Sequence, residues 1–130
     1  MRMSIGQVSR RTGWPVETIR YFERIGLLPG VDRTPGGHRM FGQRHLQRLI
    51  FIRRARRLGF SQAEVRTLVG LAANGGSPCK DARALALAKV RDIDGRIGEL
   101  YDLRKSLTRM VAGCDGQEDE GCAVIEGLRA

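Results

Sequence analysis

The first half of the chain carries apolar residues at helical spacing, in short segments separated by turns. A capping-box pair, Ser4 with Gln7, predicts the start of a short helix that stops at Gly13. A second helix is predicted over residues 16–25 and ends at Gly26. Two short helices joined by a tight glycine turn are typical of a helix-turn-helix.

The helical period is lost between Pro29 and Gly42. The segment Thr34-Pro35-Gly36-Gly37 is a strong turn signal, and its flanks are short stretches that can pair as a hairpin, which we interpret as a wing. Helical spacing returns through residues 46–58, and a further capped helix is predicted from Ser61 to about Ala73.

The longest periodic segment follows a break at residues 74–78 and covers residues 81–112. As a helix it would be roughly 48 Å long at about 1.5 Å per residue. Its apolar positions recur every three or four residues, close to a two-stranded coiled-coil seam: Val90, Ile93, Ile97, Leu100, Leu103, Leu107 and Val111. A helix of this kind cannot bury its seam alone, so the pattern predicts a homodimer.

Charge is distributed unevenly between the two halves. Residues 1–70 contain 14 arginines and 4 acidic residues, whereas residues 71–130 contain 9 basic and 10 acidic residues, within a chain of net charge +9. The first half therefore indicates a polyanion as partner, and with the helix-turn-helix it predicts binding to double-stranded DNA. A cluster on the helix after the wing adds a third basic surface: Arg53, Arg54, Arg56 and Arg57.

A helix in the major groove needs side chains that reach base edges and phosphates. Thr18, Arg20 and Tyr21 lie on or near one face of the second predicted helix, and Arg20 is the leading candidate contact. In the wing, His38 and Arg39 follow two glycines, where a tight turn can bring them against the sugar-phosphate backbone. We therefore predict these residues as DNA contacts.

The chain has three cysteines, an odd number that cannot all pair within one molecule. Cys114 and Cys122 bracket seven residues, a loop long enough to bring both thiolates onto one ion. Cys79 lies at the other end of the long helix and cannot join them in the same chain. If two long helices pair antiparallel, however, Cys79 of one subunit meets Cys114 and Cys122 of the other, giving two identical three-thiolate sites per dimer.

Thiolates select soft or borderline ions, including zinc and monovalent copper. With this site, the predicted fold is mostly α, with four parts. They are a winged helix-turn-helix DNA-binding domain (1–74), a linker (75–80), a dimerisation helix in an antiparallel coiled coil (81–113), and a metal-binding loop with a short C-terminal helix (114–130).

Other function classes find little support in the sequence. It has no glycine-rich phosphate loop, no Ser/His/Asp set on a plausible scaffold and no paired carboxylates in an apolar setting, so we predict that it is not an enzyme. No apolar run approaches the roughly 18 residues of a membrane span, and the start lacks a signal-peptide pattern, so we expect no membrane partner and a cytoplasmic location.

The ordered motifs of the chain resemble the MerR family of bacterial transcription regulators over essentially its whole length. The segments that carry the resemblance are Ile5-Gly6-Gln7-Val8-Ser9 with Thr12-Gly13, residues 18–29, Gly36-Gly37-His38-Arg39-Met40-Phe41, and residues 51–56 with 58–61. The resemblance implies a dimer on a pseudo-palindromic operator, whose effector causes the promoter to bend and untwist so that RNA polymerase can engage it. Arg20 and Tyr21 match the family's recognition-helix contacts, and His38 and Arg39 match its wing contacts, the first of which is commonly Tyr.

The same resemblance bears on the ligand. Cys79, Cys114 and Cys122 match the metal-ligand positions of the family's metal sensors. In having a cysteine at position 79, the chain resembles the family's sensors of mercury, zinc, cadmium and lead, whereas its sensors of copper, silver and gold usually lack this cysteine. The seven-residue gap between Cys114 and Cys122 instead resembles the corresponding gap of the copper sensors. An added thiolate changes the charge and the coordination number of the site, while loops tolerate single-residue changes in length. We therefore give the presence of Cys79 more weight than the loop length.

The resulting hypothesis is a regulator that activates a metal-resistance or efflux promoter when a soft divalent ion (Hg, Pb, Cd or Zn) binds. One alternative is a monovalent Cu, Ag or Au sensor of the same family. A second is a DNA-binding regulator that senses an organic ligand or a thiol oxidant, and a third is a constitutive DNA-binding protein with inert cysteines.

Overall fold

The elements follow the predicted order. A computed structural model describes residues 2–73, 78–114, 116 and 121–129. The described elements, in chain order, are α1 (Ile5–Thr12), α2 (Val16–Arg24), β1 (Asp32–Arg33), β2 (Arg39–Met40), α3 (Gln43–Arg57), α4 (Gln62–Ala73), α5 (Pro78–Ala112) and α6 (Ala123–Arg129). The chain divides into two compact units, Met1–Leu85 and Ala86–Ala130, which we describe separately.

Local caps set the helix starts in the first unit. The Ser4 backbone N–H donates to the Gln7 side chain at 2.8 Å, and the Gln7 N–H donates to the Ser4 hydroxyl at 3.3 Å, as predicted. The helix cap predicted at Ser61 also forms, since the Ser61 N–H donates to Glu64 Oε1 at 2.7 Å. The first turn of α2 lacks such a bond because Pro15 stands at its N-cap.

The predicted wing is a two-stranded antiparallel ladder in which Asp32 pairs with Met40 and Arg33 with Arg39. Thr34 N–H donates to the His38 carbonyl at 2.8 Å and closes the hairpin. Met3 extends the pairing through hydrogen bonds with Phe41 in both directions. These bonds fasten the base of the wing to the N-terminus of the unit.

The hydrophobic core of the first unit lies where α1, α2, α3 and α4 meet. Its fully buried side chains include Val8, Ile19, Leu28, Phe41 and Leu49. At roughly 1.5–3 kcal/mol for each large apolar side chain removed from water, burial of this cluster strongly favours the folded unit. One face of each short helix is thereby fixed in the interior, which leaves the opposite face of α2 for a partner.

Trp14 joins the helix-turn-helix to α3. Its indole N–H donates to the Leu49 carbonyl at 2.9 Å, and its ring stacks edge-on against Phe22 at 5.0 Å. The adjacent Tyr21 is 39% exposed, while Phe22 is buried. The pair of aromatic residues is therefore divided between surface and core.

The turn between α1 and α2 depends on Gly13, which has a φ of +79°. A Cβ at this position would overlap the guanidinium of Arg53, whose Nη1 donates to the Thr12 carbonyl at 2.7 Å. We expect Gly13→Ala to lower the free energy of unfolding by about 3 kcal/mol, from left-handed strain and loss of that charge-assisted hydrogen bond.

Chemical denaturation measures this effect, and Gly26→Ala is the matched control. Gly26 has a φ of +82°, but no atom of the described residues lies within 4 Å of a Cβ there. The control should lose only the backbone contribution of about 1–2 kcal/mol. Equal losses for the two variants would contradict a role for Arg53 at the turn.

The long helix α5 begins earlier than predicted. Residues 78–80, assigned from sequence to the linker, form its first turn, because proline is well tolerated at the first helical position and Asp81 interacts favourably with the helix dipole. The rest of that linker, residues 75–77, lies outside the described residues. None of the helices in the described residues is both long and apolar enough to cross a membrane.

The second unit contains the remainder of α5 and the short helix α6. A Cβ on Gly127 would lie 2.9 Å from Met110 Cε, and one on Gly113 would lie 3.2 Å from the Ala123 Cβ. The glycines thus allow α6 to pack closely against the end of α5. Of the described residues from 86 to 129, none is buried, and all seven predicted seam residues are exposed.

Candidate metal centre and nucleic-acid interface

The recognition-helix candidates occupy the side of α2 away from the core. Arg20 forms an ion pair with Glu17, three residues earlier, and its side chain is 40% exposed. Thr18 is half-buried. The Tyr21 hydroxyl accepts a hydrogen bond from Gln62 Nε2 at 3.2 Å, which ties it to the start of α4. Arg20 and Tyr21 are therefore accessible and partly held in place.

The wing candidates differ from each other in their surroundings. His38 is exposed near the hairpin turn, and its backbone N–H donates to Thr34 Oγ1 at 3.2 Å. Arg39 is half-buried, and its Nε donates to a Glu23 carboxylate oxygen. Glu23 also accepts a hydrogen bond from Arg33 Nη2 at 3.2 Å. A carboxylate on α2 thus lies between the two wing arginines.

Several other arginines bind backbone carbonyls. Arg48 Nη1 donates to the Leu27 carbonyl at 3.3 Å, and Arg66 Nη2 donates to the Ile25 carbonyl at 2.7 Å. In the predicted third basic surface, Arg56 binds the Phe60 carbonyl at 2.8 Å, while Arg53 binds the turn described above. Two of the four arginines of that surface thus also hold the fold, although Arg54, Arg56 and Arg57 are all exposed.

Two of the predicted thiol ligands come together in the second unit. Cys114 follows the end of α5 and Cys122 precedes α6, and their sulfur atoms lie 3.7 Å apart. Both residues are half-buried free cysteines. Two sulfurs at about 2.3 Å from one zinc-sized ion subtend about 107° at this separation, close to the tetrahedral angle. The donor pair therefore fits a soft ion of more than two ligands, since linear coordination would need about 4.6 Å.

Cys122 is placed at the start of α6, where its carbonyl accepts a hydrogen bond from Glu126 N–H at 2.9 Å. The Ile125 N–H, the Cys114 thiol and the Val124 N–H lower the pKa of the Cys122 thiol, in that order of importance. Partial burial and the Glu126 carboxylate oppose them. The balance favours the thiolate, the form that binds metal.

This environment predicts the pH dependence of Cys122 alkylation. Iodoacetamide labelling followed by peptide mass spectrometry should give a midpoint at lower pH than for the same thiol in denatured chain. Cys114→Ser should move the midpoint only part of the way up, because the two N–H donors remain. A midpoint unchanged by folding would contradict the proposed environment.

The lowered pKa of the Cys122 thiol also makes the stability of the fold depend on pH. Since the folded pKa is the lower one, the stabilising contribution of the Cys122 thiolate is fully present above the unfolded pKa. It is lost as the pH falls through the folded pKa.

The third predicted ligand is not part of this pair. Cys79 is exposed in the first turn of α5, at the opposite end of that helix. Within the described residues of a single chain, no group of three Cys, His, Asp or Glu side chains is arranged to hold an ion. Asp115 and Glu118, two acidic residues of the loop between Cys114 and Cys122, lie outside the described residues.

Sequence reasoning missed Glu23, Arg33 and Gln62. The available signal for Glu23 was an acidic residue within the net-basic first half of the chain, but its partners lie 10 and 16 residues away in the wing. Gln62 lies 41 residues from Tyr21, and nothing local in the sequence connects them.

Comparison with known proteins agrees with this geometry. The family model "MerR HTH family regulatory protein" matches residues 3–70, and "MerR, DNA binding" matches residues 46–110. The HTH-type transcriptional regulator HmrR of Rhizobium leguminosarum bv. viciae is 38% identical over 126 residues, covering 97% of each chain. The mercuric resistance operon regulatory protein of Bacillus cereus is 35% identical over 129 residues, covering 98% of each chain.

A solved structure is also similar. The transcription regulator PbrR691 from Ralstonia metallidurans CH34, in complex with lead(II), superposes with a TM-score of 0.80 at 32% identity, covering 97% of this chain and 98% of the other. The expected fold class is thereby confirmed. MerR regulators bind promoter DNA, act as dimers and are not enzymes, which agrees with the prediction of a non-enzymatic protein. The chain belongs to the MerR family of helix-turn-helix transcription regulators.

Proposed function

We propose that this protein is a homodimeric regulator that activates a metal-resistance or efflux promoter in the cytoplasm when a soft divalent ion binds Cys79, Cys114 and Cys122. The observation that carries the proposal is the pair of half-buried thiols at 3.7 Å, one of them with a lowered pKa. Mercury, lead, cadmium and zinc are the candidate ions. A lead(II)-bound solved structure and a mercuric resistance regulator among the relatives support a metal ion as the effector.

The need for a partner chain supports the assignment of Cys79. A helix of 35 residues is about 52 Å long, so its two ends cannot share one ion. The exposed apolar seam of α5 has no partner among the described residues of its own chain, and an antiparallel second copy would cover it. Such pairing brings the start of one α5 beside the end of the other, which assigns Cys79 to the partner's thiol pair.

For DNA, we assign Thr18, Arg20 and Tyr21 to the major groove and His38 and Arg39 to the adjacent backbone. The exposure of Arg20 and the position of His38 near the hairpin turn support these roles. The ion acts by binding more tightly to the dimer conformation that distorts the promoter than to the one that does not. RNA polymerase then engages the distorted promoter.

Arg20→Ala should weaken operator binding by about 1–3 kcal/mol per half-site, since it removes a base or phosphate contact. Fluorescence anisotropy on a duplex selected by the wild-type protein from a random pool measures the change. Arg91→Ala is a matched control, because it removes the same charge from an exposed position in the second unit. Equal specific affinity of Arg20→Ala and wild type would remove Arg20 from the interface.

The ligand is tested by titrating the reduced protein with Hg(II), Pb(II), Cd(II), Zn(II) and Cu(I) while recording the thiolate-to-metal absorption band. We expect one divalent ion per protomer, with induction of a promoter reporter by the same ion. Saturation by Cu(I) alone would favour the monovalent alternative. Absence of any band from the wild type would leave two alternatives: a sensor of an organic ligand or oxidant, and a constitutive DNA-binding protein with inert cysteines.

A further inference from the structure

Glu23 is the acidic side chain that joins the recognition helix to the wing. Its carboxylate binds Arg39 Nε through one oxygen and Arg33 Nη2, at 3.2 Å, through the other. The Glu23 side chain is only 19% exposed, and that of Arg39 only 24%. Both contacts connect elements distant in sequence, unlike the Glu17–Arg20 pair within one turn of α2.

The wing needs a counterion at this position for an electrostatic reason. Arg33 and Arg39 are directly opposite each other in the ladder. Like charges at such a position destabilise strand pairing, and a ladder of two residues per strand has little other stabilisation. Glu23 lies between the two guanidinium groups and offsets their repulsion.

The geometry also leaves the distal donors of Arg39 available. Glu23 accepts from Nε, the nitrogen nearest the backbone, so both terminal Nη groups retain their hydrogen atoms for another acceptor. Arg33 Nη1 lies 3.5 Å from the Gly37 carbonyl, which links the same carboxylate to the hairpin turn. One acidic residue thus fixes both arginines relative to α2.

We propose that Glu23 is a positioning residue for DNA binding: by holding Arg33 and Arg39, it makes the wing and the recognition helix bind promoter DNA as one rigid unit. The proposal rests on the proposed function for the role of Arg39 at the DNA backbone. The proposal predicts that loss of the Glu23 carboxylate weakens DNA binding. This direction is unusual, because removing an acidic residue from a basic surface ordinarily strengthens DNA binding.

Glu23→Gln tests the proposal in the full-length dimer. The variant loses one negative charge per protomer, yet we expect its affinity for the selected duplex to fall about tenfold. Both ion pairs of Glu23 are lost, and the one with Arg39 is the better shielded from water. The plot of log K against log salt should become less steep by about 0.9 for each lost phosphate contact. On an Arg39→Gln background, Glu23→Gln should have a much smaller effect.

Glu17→Gln is the matched control on the same helix. It gives the same charge change but breaks an exposed pair whose Glu17 side chain is 77% accessible. It should bind the duplex as tightly as the wild type or more tightly. A loss of affinity equal to that of Glu23→Gln would overturn the positioning role.

Amide hydrogen exchange on the free protein separates this proposal from the proposed function. Glu23→Gln should accelerate exchange at the wing amides, Thr34 and Phe41 among them, with α1 and α4 unchanged. Unchanged wing exchange would overturn the proposal whatever happens on DNA. Faster wing exchange without weaker DNA binding would overturn the DNA role of Glu23, and absence of specific binding by the wild type would overturn the proposed function alone.

Discussion

Cys122→Ser should lower the affinity of the protein for its thiophilic ion by more than the roughly 10–100-fold that loss of an outer-shell partner costs. The substitution removes a thiolate that is 3.7 Å from its neighbour and replaces it with an oxygen that a soft ion binds poorly. Competition with a chelator of known affinity, followed through the absorption band, measures the change.

This substitution separates ligation from folding. Serine is a favourable N-cap, so Ser at this position can still accept hydrogen bonds from the first turn of α6. We therefore expect the helix content and the operator affinity of the metal-free variant to match the wild type. If Cys122→Ser kept both the metal affinity and the reporter response, the cysteine pair would not be the sensor site.

Leu103→Glu should dissociate the dimer. Leu103 lies in the middle of the α5 seam and is 60% exposed in the single chain. Losing its burial in both subunits removes about 3–6 kcal/mol, which raises the dimer dissociation constant by at least about 100-fold before the added charge is considered. Analytical ultracentrifugation should show a monomer at micromolar concentration, with specific DNA binding lost as a consequence.

Tyr101→Glu is the control for this effect. Tyr101 is 61% exposed on the same helix, close to the value for Leu103, but it is not a seam position. The control should remain dimeric. If Leu103→Glu stayed dimeric and Tyr101→Glu did not, the dimer would use another face of α5.

Most of the fold was accessible from sequence because its signals are local. The Ser4–Gln7 cap joins residues three apart, and the hairpin turn is specified by consecutive Pro and Gly residues. The coiled-coil pattern of α5 is equally local. Each of these features depends on residues within about two helical turns, which the periodicity reveals directly.

The arginines could not be assigned in the same way. Arg53 binds a carbonyl 41 residues away, and Arg66 does the same across an identical separation. Composition counts such side chains as part of a basic surface, although the fold uses their donors internally. Tertiary contacts alone distinguish a guanidinium that holds a backbone turn from one that faces solvent.

The cysteines show a different limit. The pairing of Cys114 with Cys122 followed from a short loop, whereas the role assigned to Cys79 depends on a second chain. The dimerisation helix α5 also starts at Pro78, three residues earlier than the sequence pattern indicated. The DNA contacts and the three-thiolate set therefore stay predictions that experiments on the dimer must test.

Metal binding by mixed dimers tests the central claim, a site shared between two chains. Cys79→Ser and Cys114→Ser subunits, each with a different affinity tag, are mixed and the heterodimer is isolated by tandem purification. If Cys79 serves its partner's thiol pair, each heterodimer retains one intact three-thiolate site and binds one ion with wild-type affinity, while neither parent homodimer does. A heterodimer that binds no ion tightly would contradict the shared site and with it the proposed sensing mechanism.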